Sequence, residues 1–343
     1  MSKSVYVYTF ARCSWRRKSL AAKRVMRFCG SEENQRLERL LQDNLAREMR
    51  LWRAPVLHGG CIQGSDIAPN VYREIITWLQ EMSGMFKFCS ETFALGVCVL
   101  NRLLATVKAQ SKYLKCMAIT SLILAAKINE EDEVTASVKD LLAQSGCSFS
   151  TAEILRMERI ILDKLHWDLY TATPIDFIHI FRALLVSTHP HLALVAAQKK
   201  PCLQASLWTR QVQHCMACHQ LWQFKGSTLA LAIITLELEK LTPDWFSFFS
   251  DLLKKAQVKS AEFICCKEMV DEYLASLEPS SPPNALYVLD TTHLKLRACE
   301  EARGDASLSW EVDDFCDGFG NLYNEVPPLE VGLEDVGGPL QNK

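Results

Sequence analysis

Residues 114–127 read LKCMAITSLILAAK, and this stretch predicts a helix that is buried on every side. No charge lies between Lys115 and Lys127, and small residues alternate with large apolar ones, so the helix has no polar face. It is shorter than the ~20 residues that a helix needs to span a bilayer. We therefore predict the central helix of a bundle, whose last turn brings the positive charge of Lys127 to the surface.

Further helical patterns flank this central helix on both sides. Ser90 is the predicted N-cap of the helix before it, and Gly146 stands where a C-cap is expected after it. Ser150 and Glu153 have the spacing of a capping box, which marks the start of another helix. The predicted helices of this first set are 71–82, 91–108, 114–127, 135–145 and 150–165.

A second set of about five helices is predicted after Pro174. Its third member repeats the mixture of small and large apolar residues seen in the central helix. No strand-like alternation of useful length interrupts either set, so the predicted fold class is all-α, with two five-helix bundles in tandem. The predicted helices of the second set are 175–186, 203–221, 227–241, 244–255 and 260–277.

Composition limits the function classes. The hydrophobic fraction of 49% is ample for two cores, and residues 68–277 carry 21 Lys and Arg against 21 Asp and Glu. This balance argues against a nucleic-acid partner, because affinity for phosphates needs clustered cations. No stretch is long and apolar enough for a transmembrane segment. The 14 cysteines lack disulfide-like spacing, which favours reduced thiols in a protein of the nucleus and cytoplasm.

The two ends of the chain have opposite charge. Residues 1–33 form a basic leader that we interpret as disordered, although organelle presequences, nuclear-import patches and segments that associate peripherally with membranes share its composition. Residues 34–67 predict an amphipathic helix followed by a Gly-marked loop. Residues 278–343 form an acidic tail, predicted to be largely disordered. Its aromatic residues at 310–325 are a possible short helical motif for a partner protein.

The sequence contains no pattern typical of catalysis or of a metal site. It has no Gly-rich phosphate loop and no nucleophile–base pair, so we expect neither an enzyme, nor a cofactor, nor a small-molecule substrate. Cys215, Cys218 and His219 resemble a haem-attachment string, and His214 precedes them. Because the string lies within a predicted helix and no second Cys pair completes a zinc site, we predict packed thiols and no metal.

Several motifs, in this order, resemble those of the cyclin family. They are Trp78-Leu79, Glu91-Thr-Phe-Ala-Leu, Leu124-Ala-Ala-Lys127, Ile154-Leu-Arg-Met-Glu158 and Leu165-His-Trp-Asp-Leu169. Further segments, such as Phe93-Ala-Leu95, are similar to the cyclin I group within the cyclin G/I branch. The resemblance implies tandem cyclin folds, with an N-terminal cyclin box at 68–170 and a second cyclin-like fold at 171–277.

The resemblance also implies a function and a set of contact residues. A cyclin is a non-catalytic subunit that binds a cyclin-dependent kinase, moves its C-helix and orders its activation segment; for this branch an atypical, non-mitotic kinase is expected. The family's lysine at the end of the third helix matches Lys127. Its acidic partner, placed on the fourth helix, matches Asp140 by counting back from the Leu-Arg-Met-Glu motif. Glu130 and Phe88 are further expected kinase contacts.

Two departures from the family concern the first helix of the box. Tyr72 and Asn101 stand where cyclins commonly bury an Arg–Asp pair, and a neutral hydrogen bond between them is expected to support the fold. An apolar groove for Arg-x-Leu motifs is the second family feature, and Glu74 occupies a position in it that is normally apolar. We therefore predict a weak or altered groove. The residues that align with it are Val71, Ile75, Trp78, Glu81, Leu114 and Lys115.

Two other functions remain open at this point. One is a cyclin-fold adaptor that binds phosphatases or other proteins without activating a kinase. The other is a tandem cyclin-fold transcription factor, which the equal numbers of acidic and basic residues in 68–277 disfavour.

Overall fold

Helices make up nearly all the regular structure of the residues that the structure describes. The computed structural model describes residues 31–131, 137–189, 205–241 and 243–277. The helices are α1 (Ser31–Leu51), α2 (Pro69–Met85), α3 (Ser90–Leu104), α4 (Ser111–Asn129), α5 (Val138–Ser145), α6 (Thr151–Lys164), α7 (Pro174–Thr188), α8 (Ala205–Met216), α9 (Gly226–Leu241), α10 (Trp245–Ala256) and α11 (Ser260–Leu277). The predicted all-α class is confirmed.

The first bundle is built around α4. Residues 116–126 are all buried, as their uncharged sequence predicts, and α4 packs against α2, α3 and α6. The closest approach is made by Gly96 of α3, where an added Cβ would lie 3.1 Å from the Cα of Leu122. A glycine is favoured there, because an added Cβ would force Leu122 to shift by a few tenths of an ångström.

The second bundle repeats this plan around α9. Residues 226–238 are all buried, and α9 packs against α7, α8, α10 and α11. Two bundles of five helices, α2–α6 and α7–α11, therefore follow one another in the chain, and the predicted tandem architecture is confirmed.

A short β-hairpin was not predicted. Strands β1 (Leu57–His58) and β2 (Cys61–Ile62) pair antiparallel. The two residues between them, Gly59 and Gly60, have φ values of 60° and 84°, a conformation that glycine adopts without strain. Strands of two residues are too short to show an alternating pattern, so the sequence indicated only a loop.

The predicted helix 203–221 is in fact two elements. Helix α8 ends at Met216, and a 3-10 helix (His219–Gln223) follows it. The backbone N–H of Cys218 donates to the carbonyl of Cys215 at 3.0 Å, an i to i+3 bond that ends the α-helix. Both cysteines are free and buried. No cluster of three metal-ligating side chains occurs in the part of the chain that the structure describes.

The cap of α3 also differs from the prediction. Ser90 is the first residue of the helix, and the N-cap position is Cys89, whose side chain makes no cap hydrogen bond. The carboxylate of Glu130, at the end of α4, replaces it by accepting from the Cys89 N–H at 2.8 Å and from the Thr92 hydroxyl at 2.5 Å. The predicted cap at Gly146 and the capping box at Ser150 are confirmed.

Helix α1 lies on the second bundle, although it precedes the first in sequence. It begins at Ser31 and packs against α7 and α10. Lys255 of α10 pairs with Glu38 of α1 at 3.3 Å, and Asn34 accepts a hydrogen bond from the Ser187 hydroxyl of α7. The amphipathic pattern from Asn34 onward thus reflects packing against a distant part of the chain.

Two carboxylates from the segment before the first bundle cap the two central helices. Asp66 accepts from the N–H and the hydroxyl of Ser111, at the start of α4, at 2.6 and 2.8 Å. Glu48 accepts from the N–H of Ser227, at the start of α9, at 2.9 Å and from the Ser227 hydroxyl at 2.5 Å. Glu48 is only 2% exposed. Burial therefore raises its pKa to about 7, although the hydrogen bonds from Ser227 work in the opposite direction.

Several predicted segments lie outside the described residues. They are the leader up to residue 30 and the acidic tail with its motif at 310–325. All described residues belong to one unit of the chain, Met1–Ala285, and the second unit is Leu286–Lys343. Within the described ranges, no helix combines the length and the apolar character needed to cross a bilayer.

The buried carboxylate predicts a specific pH dependence of stability. In the folded chain Glu48 keeps its proton up to about pH 7, whereas the unfolded chain releases it near 4.5. The folded state therefore binds more protons between these values, and the free energy of unfolding falls there by roughly 3 kcal/mol relative to Glu48→Gln as the pH rises. Urea unfolding of both proteins at pH 5 and pH 8 measures the difference.

Glu32→Gln is the matched control, because Glu32 is an exposed residue of the same helix. Parallel pH profiles for wild type and Glu48→Gln would contradict the raised pKa of the buried Glu48 carboxyl.

Candidate functional site

The last turn of α4 presents a cation that is held by a carboxylate of α6. The Nζ of Lys127 lies 2.5 Å from Oε1 of Glu158. The Lys127 side chain is 42% exposed, whereas that of Glu158 is only 15% exposed. The pair is therefore anchored on its acidic side and open to solvent on its basic side.

Asp140, the expected acidic contact on the fourth helix, does not pair with Lys127 in the free chain and stays a predicted kinase contact. Asp140 lies in the first turn of α5, where its carboxylate accepts from the Ser137 hydroxyl at 2.6 Å. Ser137 in turn caps the N–H of Asp140 at 3.2 Å. Asp140 is thus exposed and bonded within its own helix start, and the structure pairs Lys127 with Glu158. Sequence reasoning missed this internal pair, although Glu158 ends the Leu-Arg-Met-Glu motif on which the family resemblance rests.

Apolar side chains of α6 and of the segment just after it are also wholly or partly exposed. Leu155 is 50% exposed, and Leu162 is half-buried; they lie three residues before and four after Glu158, on the same side of α6. Trp167 lies just beyond α6 and is 61% exposed. Its backbone N–H donates to the carbonyl of Leu162 at 2.8 Å. Exposed apolar groups beside a fixed charge are typical of a protein-binding surface. We call this set, Lys127, Leu155, Glu158, Leu162 and Trp167, the α4–α6 face.

Two other predicted kinase contacts have internal roles. Phe88 is buried and packs against Phe86, with ring centroids 5.4 Å apart. The structure thus places Phe88 in the core and not on the surface where a contact was expected. Glu130 is half-buried and accepts the hydrogen bonds that cap α3. Its carboxylate therefore holds the end of α4 against the start of α3.

The residues of the predicted docking groove lie along α2 and the start of α4. Val71, Ile75 and Trp78 are half-buried, Glu81 is exposed, and Leu114 is fully buried beneath them. The Nζ of Lys115 lies 4.7 Å from the centroid of the Trp78 ring. This cation–π contact covers the aromatic face with a positive charge, and Glu74 is exposed beside it on α2.

A neutral hydrogen bond joins the two residues that replace the family's buried ion pair. The hydroxyl of Tyr72 donates to Oδ1 of Asn101 at 2.6 Å, and Tyr72 is completely buried. The Tyr72 ring also packs edge-on against Trp222 of the 3-10 helix, with centroids 4.3 Å apart. Tyr72 therefore links α2 to α3 and the first bundle to the second.

A second link between the bundles was not found from the sequence. Glu91, at the start of α3, lies 3.3 Å from Nε2 of His179 on α7. Burial alone would raise the pKa of Glu91, but the bond with His179 lowers it to about 2. Glu91 belongs to a motif quoted for the family, whereas His179 belongs to none, so no local pattern connected the two.

Comparison with known proteins identifies the family. Residues 47–170 match the model of the cyclin N-terminal domain. The chain is 50% identical to human Cyclin-I2 over 252 residues, which cover 74% of this chain and 66% of that protein. The chain belongs to the cyclin family. Human Cyclin-G2 is 31% identical over 217 residues, or 63% of this chain and 60% of that protein. These relatives fit a cyclin of the G/I branch, as the motifs predicted.

The match to a solved structure supports the fold. A viral cyclin from herpesvirus saimiri superposes with a TM-score of 0.53 at 16% identity, over 68% of this chain and 97% of that chain. At this level of identity the likeness shows the cyclin fold alone. The chain spans about two thirds or less of the length of the two human relatives.

Removing the hydroxyl of Tyr72 tests the neutral core pair. Tyr72→Phe leaves Oδ1 of Asn101 without its donor, and we expect the free energy of unfolding to fall by about 1–2 kcal/mol. Urea denaturation measures this loss. Tyr273→Phe is the control, because no hydrogen bond to the Tyr273 hydroxyl occurs among the described residues. Equal losses for the two variants would show that the hydrogen bond contributes nothing.

The altered groove predicts weak binding of Arg-x-Leu peptides. We expect less than half-saturation at 100 μM peptide, because Lys115 covers Trp78 and Glu74 would be desolvated beneath the peptide leucine. Glu74→Leu should raise the affinity at least fivefold, since it removes that desolvation. Fluorescence polarisation with a labelled peptide gives both values, and tight binding to wild type that Trp78→Ala abolishes would refute the prediction.

Proposed function

We propose that this cyclin is a regulatory subunit that binds a cyclin-dependent serine/threonine kinase and activates it by positioning its C-helix and activation segment. The observation that carries the proposal is the Lys127–Glu158 pair, fixed at 2.5 Å on an exposed face of the residues that match the cyclin domain. Its lysine is half-exposed, so it can donate to backbone carbonyls of a docked kinase helix or loop.

Glu158, the acidic member of the pair, uses only one of its two carboxylate oxygens to bind Lys127. Oε2 of Glu158 is buried and has no hydrogen bond among the described residues. An unsatisfied buried carboxylate oxygen is costly in free energy, so the Lys127 ammonium is the partner that keeps this carboxylate charged and in place. The α4–α6 face therefore offers a donor at a fixed position, together with apolar area from Leu155, Leu162 and Trp167.

A rigid face of this kind activates a kinase through differential affinity. A kinase whose active arrangement is populated at about 1% becomes 99% active if the cyclin binds that arrangement about 10⁴-fold more tightly, which is about 5.5 kcal/mol. The α4–α6 face supplies such discrimination only if the helices that carry it do not move. Their packing around a fully buried central helix supports this requirement.

A second candidate function is that of a cyclin-fold adaptor, which binds a kinase or another protein without activating it. The altered groove favours it. With Lys115 above the Trp78 ring and a carboxylate at Glu74, recruitment of Arg-x-Leu substrates is expected to be weak. Such a protein would hold its partner without delivering the usual substrates to it.

Mixing the full chain with a panel of unphosphorylated cyclin-dependent kinases separates the two candidates. Light scattering after size exclusion detects a complex, and phosphorylation of a histone peptide measures activity. A complex with at least a tenfold rise in activity supports the regulatory subunit, and a complex with no rise supports the adaptor. Failure to bind any kinase of the panel contradicts kinase binding altogether.

Point variants test the α4–α6 face. Lys127→Ala and Glu158→Gln should each weaken the kinase complex by 10–100-fold, because the first removes the donor that faces the kinase and the second removes the charge that holds this donor in place. Lys139→Ala, an exposed lysine of α5, should leave the affinity unchanged. Asp140→Asn tests the predicted acidic contact on α5: a loss as large as that of Glu158→Gln would support Asp140 as a kinase contact, and an unchanged affinity would contradict it. Thermal unfolding of each variant confirms that the fold is intact.

A further inference from the structure

A cavity of about 80 Å³ lies at the seam between the two bundles. Its wall consists of the end of α1, part of α3, the linker before α7, and the 3-10 helix with the start of α9. Exposed Arg53 and half-buried Trp52 are among the lining residues, so the cavity reaches the surface there. A single water needs only ~10–15 Å³, so this seam cavity has room for a group of several atoms.

Hydrogen-bond donors predominate among its polar groups. Trp222 is buried, and its Nε1 has no hydrogen-bond partner among the described residues. Asn101 uses its Oδ1 to accept from Tyr72, and its Nδ2 makes no hydrogen bond within the described ranges. A buried donor without an acceptor is costly in free energy. The seam cavity therefore fits a ligand that is rich in acceptor atoms.

Arginines add positive charge at the same place. Arg102 is 7% exposed and donates one bond, to the Leu169 carbonyl at 3.4 Å, so most of its five N–H groups remain available. Arg53 also lines the cavity, and both Arg53 and Arg50 act electrostatically on Arg102. The carboxylate opposite them is Asp168, which pairs with Arg50 at 3.3 Å. Arg50, Arg53 and Arg102 together carry three positive charges against the one negative charge of Asp168.

Glu48 is the one carboxylate among the described lining residues. Both its oxygens accept hydrogen bonds from Ser227, at 2.9 and 2.5 Å, so they are committed to the start of α9. A charged Glu48 repels an anion in the cavity. Its removal should therefore strengthen anion binding, whereas removal of an arginine should weaken it.

We propose that the seam cavity binds an oxyanion of the phosphate class, either as a phosphorylated Ser or Thr side chain of a partner protein or as free inorganic phosphate. Guanidinium groups match the geometry of phosphate oxygens, and the indole of Trp222 and the amide of Asn101 supply further donors. The site is separate from the α4–α6 face, and it does not depend on kinase binding.

Nuclear magnetic resonance of the full chain, labelled with ¹⁵N at its tryptophan indoles, provides a readout at the site. Inorganic phosphate, N-acetyl-phosphoserine amide and unphosphorylated N-acetyl-serine amide are the probes. We expect the Nε1–H signal of Trp222, assigned with Trp222→Phe, to shift with a dissociation constant of 5 mM or below for at least one phosphate probe. The serine amide should produce no shift.

The two phosphate probes distinguish the sources. At least tenfold tighter binding of the phosphoserine amide assigns the site to a phosphorylated partner, and equal or tighter binding of inorganic phosphate assigns it to the free ion. No shift of the Trp222 signal with either probe up to 50 mM overturns the proposal.

Charge variants test whether the arginines carry the binding. Arg53→Gln should weaken it at least fivefold, and Glu48→Gln should strengthen it at least twofold. Arg39→Gln, an exposed arginine of α1 that does not line the cavity, is the matched control. Equal losses for Arg53→Gln and Arg39→Gln would show a diffuse charge effect, and equal affinities for wild type and Arg53→Gln would show that Arg53 takes no part in binding; either result overturns the proposal. Arg102→Gln is avoided as the main test, because Arg102 is buried and its loss risks unfolding.

Discussion

Both central helices of this cyclin depend on a carboxylate that lies outside their own bundle. The first N–H groups of a buried helix have no partner within the helix, and they cannot be left unsatisfied in a core. Asp66 accepts a hydrogen bond from the backbone N–H at the start of α4, and Glu48 does so at the start of α9. Each carboxylate also accepts from the hydroxyl of the same serine. The negative charge of Asp66 also matches the positive end of the α4 helix dipole.

This arrangement explains why the segment before the first bundle is part of the folded unit. Residues 48 and 66 belong to one short stretch that contains the end of α1 and the β-hairpin, and its two caps reach one central helix in each bundle. The stretch therefore limits how far the bundles can move apart. Tyr72 against Trp222 and Glu91 against His179 add two further contacts across the same seam.

A rigid framework matters for a protein that acts by presenting a surface. Lys127 and Glu158 lie on different helices, and their separation is set by the packing of α4 against α6. Loss of that packing would move a donor and an acceptor relative to each other and weaken discrimination between partner conformations. At the seam, the change from an ion pair to Tyr72 and Asn101 leaves a neutral core with spare donors, and the buried Arg102 then lies beside a cavity.

Much of the fold was predictable from local sequence, because helix formation, capping and burial follow from short-range patterns. The uncharged stretch at 114–127, the capping box at Ser150 and the C-cap at Gly146 were recognised in this way. The motif order also indicated the family. Predictions were poorest where a helix end depended on a distant residue, as at Ser90, where the cap comes from Glu130.

The sequence by itself determined the helical class, the two apolar central helices, the family and the exposed position of Lys127, since each follows from residue types and their order along the chain. Only the tertiary structure decided which acid pairs with Lys127, which carboxylates cap the central helices and which donors meet at the seam. These contacts form between residues that are far apart in the chain, such as Glu48 and Ser227. Their distance is set by how the helices pack, and helix packing has no signature in the spacing of residues along one helix.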